Sequence, residues 1–240
     1  MRAITPLLAL ALGITLSAAG LAQYGADSAP FGCPLFHFKD GTTHCCGKAF
    51  AIAWFQNRKI LVMPLHLLGP GGGYPTYISP QDVPDVVQSV DVLGLGTQRI
   101  LETAKTGLLR TGVPTEKSRG NLSEDLMAFE LPSNCRLHLY PLVPNMVAVG
   151  SKVWILTKIE RGNSDTPDRF SGTVIRAVST GLTIKMDSPL VALSSSGSPV
   201  VNGQNQLVGM MVGKQDVQRT LITAIPSPML YAKLYRELKH

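Results

Sequence analysis

Short apolar runs, some of them alternating with polar residues, are the main pattern along most of the chain. Runs of about four to eight residues bounded by Gly, Pro, Asn or Asp are typical of β-strands. They lie at 49–55, 60–63, 90–93, 99–104, 107–110, 124–131, 153–157, 172–175, 182–186, 199–201, 207–212 and 221–224. Many short strands at close spacing are typical of barrels and sandwiches, so the pattern predicts an all-β protein.

The C-terminal segment has a helical pattern instead. Leu230, Leu234 and Leu238 recur every four residues, which places them on one face of a helix. Ser227 is a residue type that favours N-cap positions, and Pro228 suits the first helical position. We expect an amphipathic helix that Ser227 caps and that docks on the second half of the chain.

Changes in composition divide the chain into predicted units. The stretch that follows the first 22 residues is polar and rich in Gly and Pro, which is typical of a segment draped over the surface. A second Pro-rich stretch separates two strand-rich halves and is predicted to connect them. The predicted units are the draped segment 23–43, a first barrel 44–136, the connection 137–145, a second barrel 146–226 and the helix 227–240.

The first residues have the parts of a secretory signal peptide. Met1-Arg2 forms a positively charged start, and the apolar run 7–16 is too short to span a bilayer. Small residues up to Ala22 offer a cleavage site. We therefore expect residues 1–22 to be removed, and the protein to be secreted or periplasmic with no membrane association afterwards.

Basic residues give the chain a formal net charge of +6, but they are scattered along it. Nucleic-acid-binding proteins usually concentrate such residues on one face. The scattered basic residues include Lys48, Arg58, Lys59, Arg110, Arg136, Lys158 and Arg176. We expect them to lie on solvated surfaces, and we expect no nucleic-acid partner. The sequence does not indicate an oligomeric state.

An even number of cysteines in an exported chain favours disulfide bonds. The four are Cys33, Cys45, Cys46 and Cys135. A bridge between the adjacent Cys45 and Cys46 would strain the backbone, so we expect Cys33 and Cys135 each to pair with one of them. The alternative is a metal site with His37 and His44, but adjacent cysteines lack the ligand spacing of structural zinc sites. We predict no metal and no cofactor.

A turn of small residues near the C-terminus is the strongest candidate for catalysis. It contains Ser196-Gly197 within a run of serines. A nucleophilic hydroxyl needs a tight turn with small neighbours, which these residues supply. The simpler interpretation is a polar loop between two strands. His66 at the end of one predicted strand, and Asp125 at the start of another, are each compatible with structural roles when taken alone.

Taken together, His66, Asp125 and Ser196 resemble the triad of the trypsin-like (chymotrypsin-fold) serine proteases. The resemblance is strongest to the compact secreted bacterial branch, whose serine loop often has the sequence found here at 196–199, Ser-Gly-Ser-Pro. The chain order His, Asp, Ser matches this family and differs from other triad folds. The resemblance covers essentially the whole mature chain. It implies two Greek-key, six-stranded β-barrels, a C-terminal α-helix, and a site in the cleft between the barrels.

The resemblance also implies roles in catalysis. Ser196 would attack the scissile carbonyl, His66 would transfer the proton, and Asp125 would orient the imidazole. Glu124 is the rival acid, but Asp125 directly precedes the strand, as the family's acid does. The backbone N–H groups of Ser194 and Ser196 would form the oxyanion hole.

Further residues would contact the substrate if the resemblance holds. Leu190 corresponds to the base of the pocket for the residue N-terminal to the cut, which implies an apolar preference. Val212, Gly213 and Lys214 would pair with the substrate backbone as an added strand.

Two positions in the serine loop depart from the family pattern. Ser194 stands where Gly is usual, and Ser195 stands where Asp or Asn is usual. A residue with a Cβ has a steric cost at positive φ, so we expect the resting loop to turn the peptide of Ser194 away from the hole. Basal activity would then be low. Without an acid at 195, activation by a salt bridge to a new N-terminus is excluded.

The sequence therefore predicts an exported serine endopeptidase that cleaves polypeptides through an acyl-enzyme. The alternative is a catalytically silent homologue that binds peptides or partner proteins in the same cleft. A carbohydrate-binding β-sandwich would fit the composition but would leave the three motifs unexplained.

Overall fold

The computed structural model of the protein describes residues 29–114, 117, 120–159, 162–190, 194–215, 218 and 220–239. The predicted signal peptide, 1–22, lies outside the described residues. The regular structure of the described part is mostly β-strand, as the short apolar and alternating runs predicted. None of its helices is long and apolar enough to cross a membrane.

The first half of the chain forms two sheets, in which all the paired strands but one pair are antiparallel. One sheet has the order β2-β1-β5-β6, and the other has the order β7-β8-β4-β3-β9, in which β9 is parallel to β3. The strands are β1 Cys33–Phe38, β2 Thr43–Cys45, β3 Phe50–Ala53, β4 Lys59–Met63, β5 Val87–Leu93, β6 Ile100–Ala104, β7 Thr106–Gly107, β8 Met127–Leu131 and β9 Leu139–Tyr140. Short helical turns lie at Phe55–Asn57, Leu65–Leu68, Pro70–Gly72 and Leu122–Glu124, and α1 spans Val83–Val86.

The second half is a closed six-stranded barrel with the order β10-β11-β12-β15-β14-β13. Its strands are β10 Lys152–Thr157, β11 Asp168–Val178, β12 Gly181–Met186, β13 Pro199–Val201, β14 Leu207–Lys214 and β15 Leu221–Pro226. This barrel and the all-β class confirm the predicted architecture. The first half differs in detail, because the hydrogen-bonded ladders among its described residues form two sheets and do not close into one ring.

Strand β1 corrects the expectation of a draped N-terminal segment over 23–43. It lies between β2 and β5 in the first sheet, and its Phe36 and Phe38 side chains are buried. The alternation was hidden in the sequence by Pro34, a residue type that central strands normally exclude because it cannot donate a ladder hydrogen bond. The unit boundaries given above otherwise stay predictions.

The C-terminal helix, α2, spans Ser227–Leu238, close to the predicted range. The predicted capping role of Ser227 is wrong. The cap residue is Pro226, and no side chain makes a capping hydrogen bond at this end of the helix. Ser227 is the first helical residue, and its hydroxyl donates to the Val143 carbonyl at 3.0 Å. The residue thus ties the start of the helix to the connection between the halves.

Three buried clusters form the core. One lies within the first half, around Phe36, Leu61 and Phe129; another fills the second barrel, around Ile155, Ile184 and Met211. The third joins the two halves and contains Ile52, Met210 and the helix residues Leu230 and Leu234. Helix α2 therefore packs against residues of both halves.

No disulfide joins any of the four cysteines, all of which lie in the described part of the chain. The predicted bridges are therefore wrong for this structure. Burial, with smaller effects of Cys45 and Cys33, raises the pKa of Cys46 to about 12. Cys135 lies elsewhere, beside Lys59, and burial raises its pKa to about 11. No group of His, Cys, Asp and Glu side chains among the described residues is arranged to hold a metal ion.

Candidate active site

His66 lies in the turn Leu65–Leu68, which directly follows the buried strand β4. Pro64 separates the two elements; a proline has no N–H and so favours the end of a ladder. His66 is only 4% exposed. Its ring is therefore held inside the protein and not on a flexible loop.

Asp125 lies immediately before β8, and the pairing of β8 with β4 brings it to His66. The register Met63↔Met127 places the residues that follow β4 beside those that precede β8. One Asp125 oxygen accepts the His66 backbone N–H at 2.8 Å, and the other lies 2.6 Å from the ring Nδ1. An ionised carboxylate can only accept a hydrogen bond, so Nδ1 carries the proton and donates, and the lone pair of the neutral ring lies on Nε2.

The rival acid, Glu124, points to a different part of the molecule. Its carboxylate accepts hydrogen bonds from Lys233 at 2.6 Å and from Arg236 at 3.3 Å, both on α2. Burial raises the pKa of Glu124, but these hydrogen bonds outweigh it, so the pKa lies below its usual value. Of the two neighbouring acids, Asp125 is the one that contacts His66.

The serine turn packs directly against the segment that leads to His66. Gly197 has φ 89, and a Cβ added to it would lie 1.9 Å from the Lys48 carbonyl oxygen and 3.0 Å from Pro64 Cδ. A Cβ added to Gly47 would lie 2.6 Å from the Leu67 side chain and 2.8 Å from the Ser196 carbonyl oxygen. Only glycine at these two positions allows the turn to approach the His66 segment so closely.

The Ser196 hydroxyl donates a long hydrogen bond to the Val212 carbonyl, at 3.4 Å. Such a bond is weak and easily exchanged for another. The serine backbone is better fixed, since the Ser196 carbonyl accepts the Lys48 N–H at 2.7 Å and Gly197 donates to Met211 at 2.7 Å. The turn is thus anchored through its main chain while the hydroxyl can reorient.

Ser194 adopts φ 59, a left-handed conformation that is unfavourable for a residue with a Cβ. The sequence led us to expect that Ser194 would avoid this region. The direction of its N–H stays a prediction, because that N–H shares a peptide group with Leu193, which lies outside the described residues. Ser195 points inward instead, where the Thr157 hydroxyl donates to its hydroxyl at 3.3 Å.

Lys48 is the residue of this site that the sequence analysis missed. It was expected on a solvated surface, but it is only 3% exposed. Its ammonium donates to the Ser194 carbonyl at 2.8 Å, and its backbone N–H donates to the Ser196 carbonyl. The available signal was its place directly before the apolar run 49–53, where a side chain enters the core with the strand.

The predicted substrate-binding residues lie in two places. Leu190 is fully buried in the cluster that fills the second barrel. Val212 lies at a bulge of β14, after which Gly213 and Lys214 pair with β15. On the other side, β13 pairs with β14 only as far as Met210, so this edge has no strand partner beyond that point among the described residues.

Solved structures of serine proteases are similar to this chain in fold, at low sequence identity. No protein-family model and no curated protein sequence matches the chain. The inactive form of the Rv3671c protease is 14% identical, with 88% of this chain and 90% of that chain covered and a TM-score of 0.54. The active form of the protease, from M. tuberculosis, is 12% identical, with 98% and 94% covered and a TM-score of 0.54.

A serine endoprotease from Yersinia pestis is 15% identical, with 88% of this chain and 64% of that chain covered and a TM-score of 0.55. The chain therefore has the trypsin-like serine protease fold, as the three motifs predicted.

Proposed function

We propose that the protein is an exported serine endopeptidase in which Ser196 attacks the scissile carbonyl of a polypeptide. The observation that carries the proposal is the contact of one buried carboxylate, Asp125, with both the ring and the backbone of His66. A neutral imidazole oriented in this way can accept a proton from a serine and stabilise the resulting positive charge. The packing of the Ser196 turn against the His66 segment supports the same interpretation.

In the proposed reaction, the Ser196 hydroxyl leaves the Val212 carbonyl and donates to Nε2 of His66. Oγ attacks the substrate carbonyl while its proton passes to Nε2, and Asp125 stabilises the imidazolium. The tetrahedral oxyanion is bound by the N–H groups of Ser194 and Ser196. His66 then returns the proton to the leaving amine, and a water molecule repeats the sequence on the acyl-enzyme. The proposed steps use only protein groups and water, so the proposed reaction needs no cofactor.

The strand edge at Val212, Gly213 and Lys214 is the proposed binding surface for the substrate backbone. An extended peptide can add to such an edge through main-chain hydrogen bonds. The Val212 carbonyl becomes available as an acceptor once the Ser196 hydroxyl turns to His66. The apolar preference for the residue before the cut rests on the sequence position of Leu190, whose side chain is fully buried in the second barrel. Export rests on the signal-peptide pattern of the sequence.

A fluorophosphonate probe tests the proposal, because it labels only a serine whose hydroxyl is activated. We expect the wild-type protein to be labelled at Ser196, and the variants Ser196→Ala and His66→Ala to remain unlabelled. Circular dichroism and thermal unfolding check that both variants are folded. An unlabelled wild-type protein that still binds peptides would instead favour a catalytically silent homologue.

A further inference from the structure

One residue, Lys48, binds the carbonyl groups of both residues whose N–H groups are proposed to form the oxyanion hole. Its backbone N–H donates to the Ser196 carbonyl at 2.7 Å, and its ammonium donates to the Ser194 carbonyl at 2.8 Å. The residue begins the segment that leads into β3 of the first half, whereas the serine turn belongs to the second barrel. Lys48 therefore connects the two halves at the catalytic turn.

The environment of the ammonium is unusual for a lysine. Lys48 is 3% exposed, and burying an ammonium group is costly unless hydrogen bonds compensate. Within the described residues, its hydrogen bonds go to backbone carbonyls, Ser194 at 2.8 Å and Gly47 at 3.5 Å. Only the Ser194 bond is short, so the positive charge is directed at the serine turn.

That bond acts on a residue of the turn whose conformation is unfavourable on its own. Ser194 has φ 59, and a serine released from its contacts prefers negative φ. Rotation to negative φ reorients the peptide group on the N-terminal side of Ser194, which carries the proposed oxyanion donor. A hydrogen bond from a charged donor is stronger than a neutral one, so the ammonium can hold Ser194 in its strained conformation.

We propose that Lys48 is a positioning residue that keeps the oxyanion loop in its catalytic conformation. The inference rests on the proposed function and adds to it the means by which the hole stays formed. Ser195 cannot make the salt bridge that the resemblance associates with activation. The Lys48 ammonium, which comes from the first half and donates to the Ser194 carbonyl, orders the same loop instead.

The test replaces Lys48 by Met, which keeps the length of the side chain and removes the ammonium. Loss of one oxyanion donor lowers kcat by a factor of about 10²–10³, so we expect a fall of that size with KM for a peptide substrate nearly unchanged. The rate of fluorophosphonate labelling should fall in parallel. The matched control is Lys59→Met, since the Lys59 ammonium also donates to a backbone carbonyl, that of Cys135 at 2.9 Å, away from the site.

A second substitution separates positioning from general stability. Glycine adopts positive φ without a steric cost, so Ser194→Gly should restore most of the lost kcat in the Lys48→Met background. A lysine that only stabilised the fold would not be rescued by a change in the loop. If Lys48→Met does not fold, Lys48→Gln, which keeps a neutral donor, takes its place in both measurements.

The outcomes distinguish this inference from the proposed function. A wild-type protein that neither reacts with the probe nor hydrolyses peptides overturns both. An active wild-type protein whose Lys48 variant keeps full kcat overturns the role of Lys48 alone. A loss of kcat in Lys48→Met that Ser194→Gly does not restore also overturns the role of Lys48.

Discussion

The two sides of the candidate site are held in place by different kinds of contact. His66 and Asp125 follow and precede two paired strands of the first half, β4 and β8, so the strand register itself brings them together. The turn with Ser196 lies in the second barrel and is fixed by single hydrogen bonds and by two close glycine contacts with the first half. The proposed acid–base pair is thus positioned by a sheet, whereas the proposed nucleophile depends on a few specific contacts.

This difference predicts which substitutions affect chemistry alone and which affect the turn. Register is maintained by many ladder hydrogen bonds, and no single side chain at the end of a strand decides it. The Ser196 turn is held by a few single contacts, and no further contact compensates when one of them is lost. We therefore expect substitutions of the acid–base pair to leave the backbone intact, and substitutions of glycines in the turn to disturb both structure and activity.

The largest expected effect is the fall in kcat when a proposed catalytic residue is replaced. Replacing Ser196 or His66 by Ala should each lower kcat by a factor of about 10⁶, and the double variant should lose little more, because the residues act as a unit. Asp125→Asn should cost about 10⁴ through the wrong tautomer of His66. Steady-state kinetics on a peptide substrate measures these effects, and full hydrolysis by Ser196→Ala would contradict the assignment.

Gly197→Ala should damage the turn itself. Its Cβ would lie 1.9 Å from the Lys48 carbonyl oxygen, so the turn must move away from the first half. We expect a loss of about 2–4 kcal/mol in the free energy of unfolding, together with loss of probe labelling.

The matched control for Gly197→Ala is Gly41→Ala. Gly41 has φ 85 but no neighbour within 4 Å of an added Cβ, so it carries the backbone strain without the clash. This variant should lose only about 1 kcal/mol and should keep its labelling. Chemical denaturation gives both numbers, and equal losses in the two variants would show that the close contact is unimportant.

Lys233→Met should destabilise the fold without changing the chemistry. The Lys233 ammonium is buried and pairs with Glu124 at 2.6 Å and Glu237 at 3.1 Å. Removing it leaves two carboxylates without their shared cation, which should cost about 2–3 kcal/mol at pH 7, less than for a fully buried pair because Glu124 is partly exposed. Arg236→Met is the control, since Arg236 contacts the same Glu124 but is 59% exposed and should cost almost nothing.

The loss in Lys233→Met should depend on pH. For Glu124 and Glu237, burial raises the pKa, but the hydrogen bonds that they accept lower it more, so both pKa values lie below their usual range. A lowered pKa gives stability that is present above the unfolded value of about 4.3 and is lost as the pH falls through the folded value. The difference between wild type and variant should therefore shrink in acid, and a constant difference across pH would count against the ion pairs as its origin.

Local patterns predicted the parts of the molecule in which local and tertiary preferences agree. The short apolar runs predicted the hairpin of β3 and β4 and the strand that follows Asp125, so they also located the proposed acid–base pair. The period of four in the leucines predicted α2. In each case the apolar face that the pattern defines is the face that the core buries.

The features that sequence reasoning missed depend on contacts between distant segments. Strand β1 was hidden by Pro34, although its ladder to β5 tolerates that residue. Lys48 was taken for a surface residue, because a buried ammonium is favourable only where a carbonyl from the other half accepts its hydrogen bond. Ser194 was expected to avoid positive φ, which is its local preference, but the tertiary contacts of the turn override it.

The smallest expected effect is that of Ser194→Gly in the otherwise wild-type protein. The family resemblance alone predicts a clear gain in kcat, because glycine would allow a displaced loop to form the oxyanion hole. Ser194 is already at φ 59, however, with its carbonyl bound by Lys48, so the substitution removes strain from a conformation that is occupied at rest. The resting loop and the transition state share this strain of about 1 kcal/mol, so its relief should change kcat by less than about tenfold, with KM unchanged. Steady-state kinetics measures the gain, and one of a hundredfold or more would mean that the resting loop is largely displaced and that the Lys48 bond does not hold it.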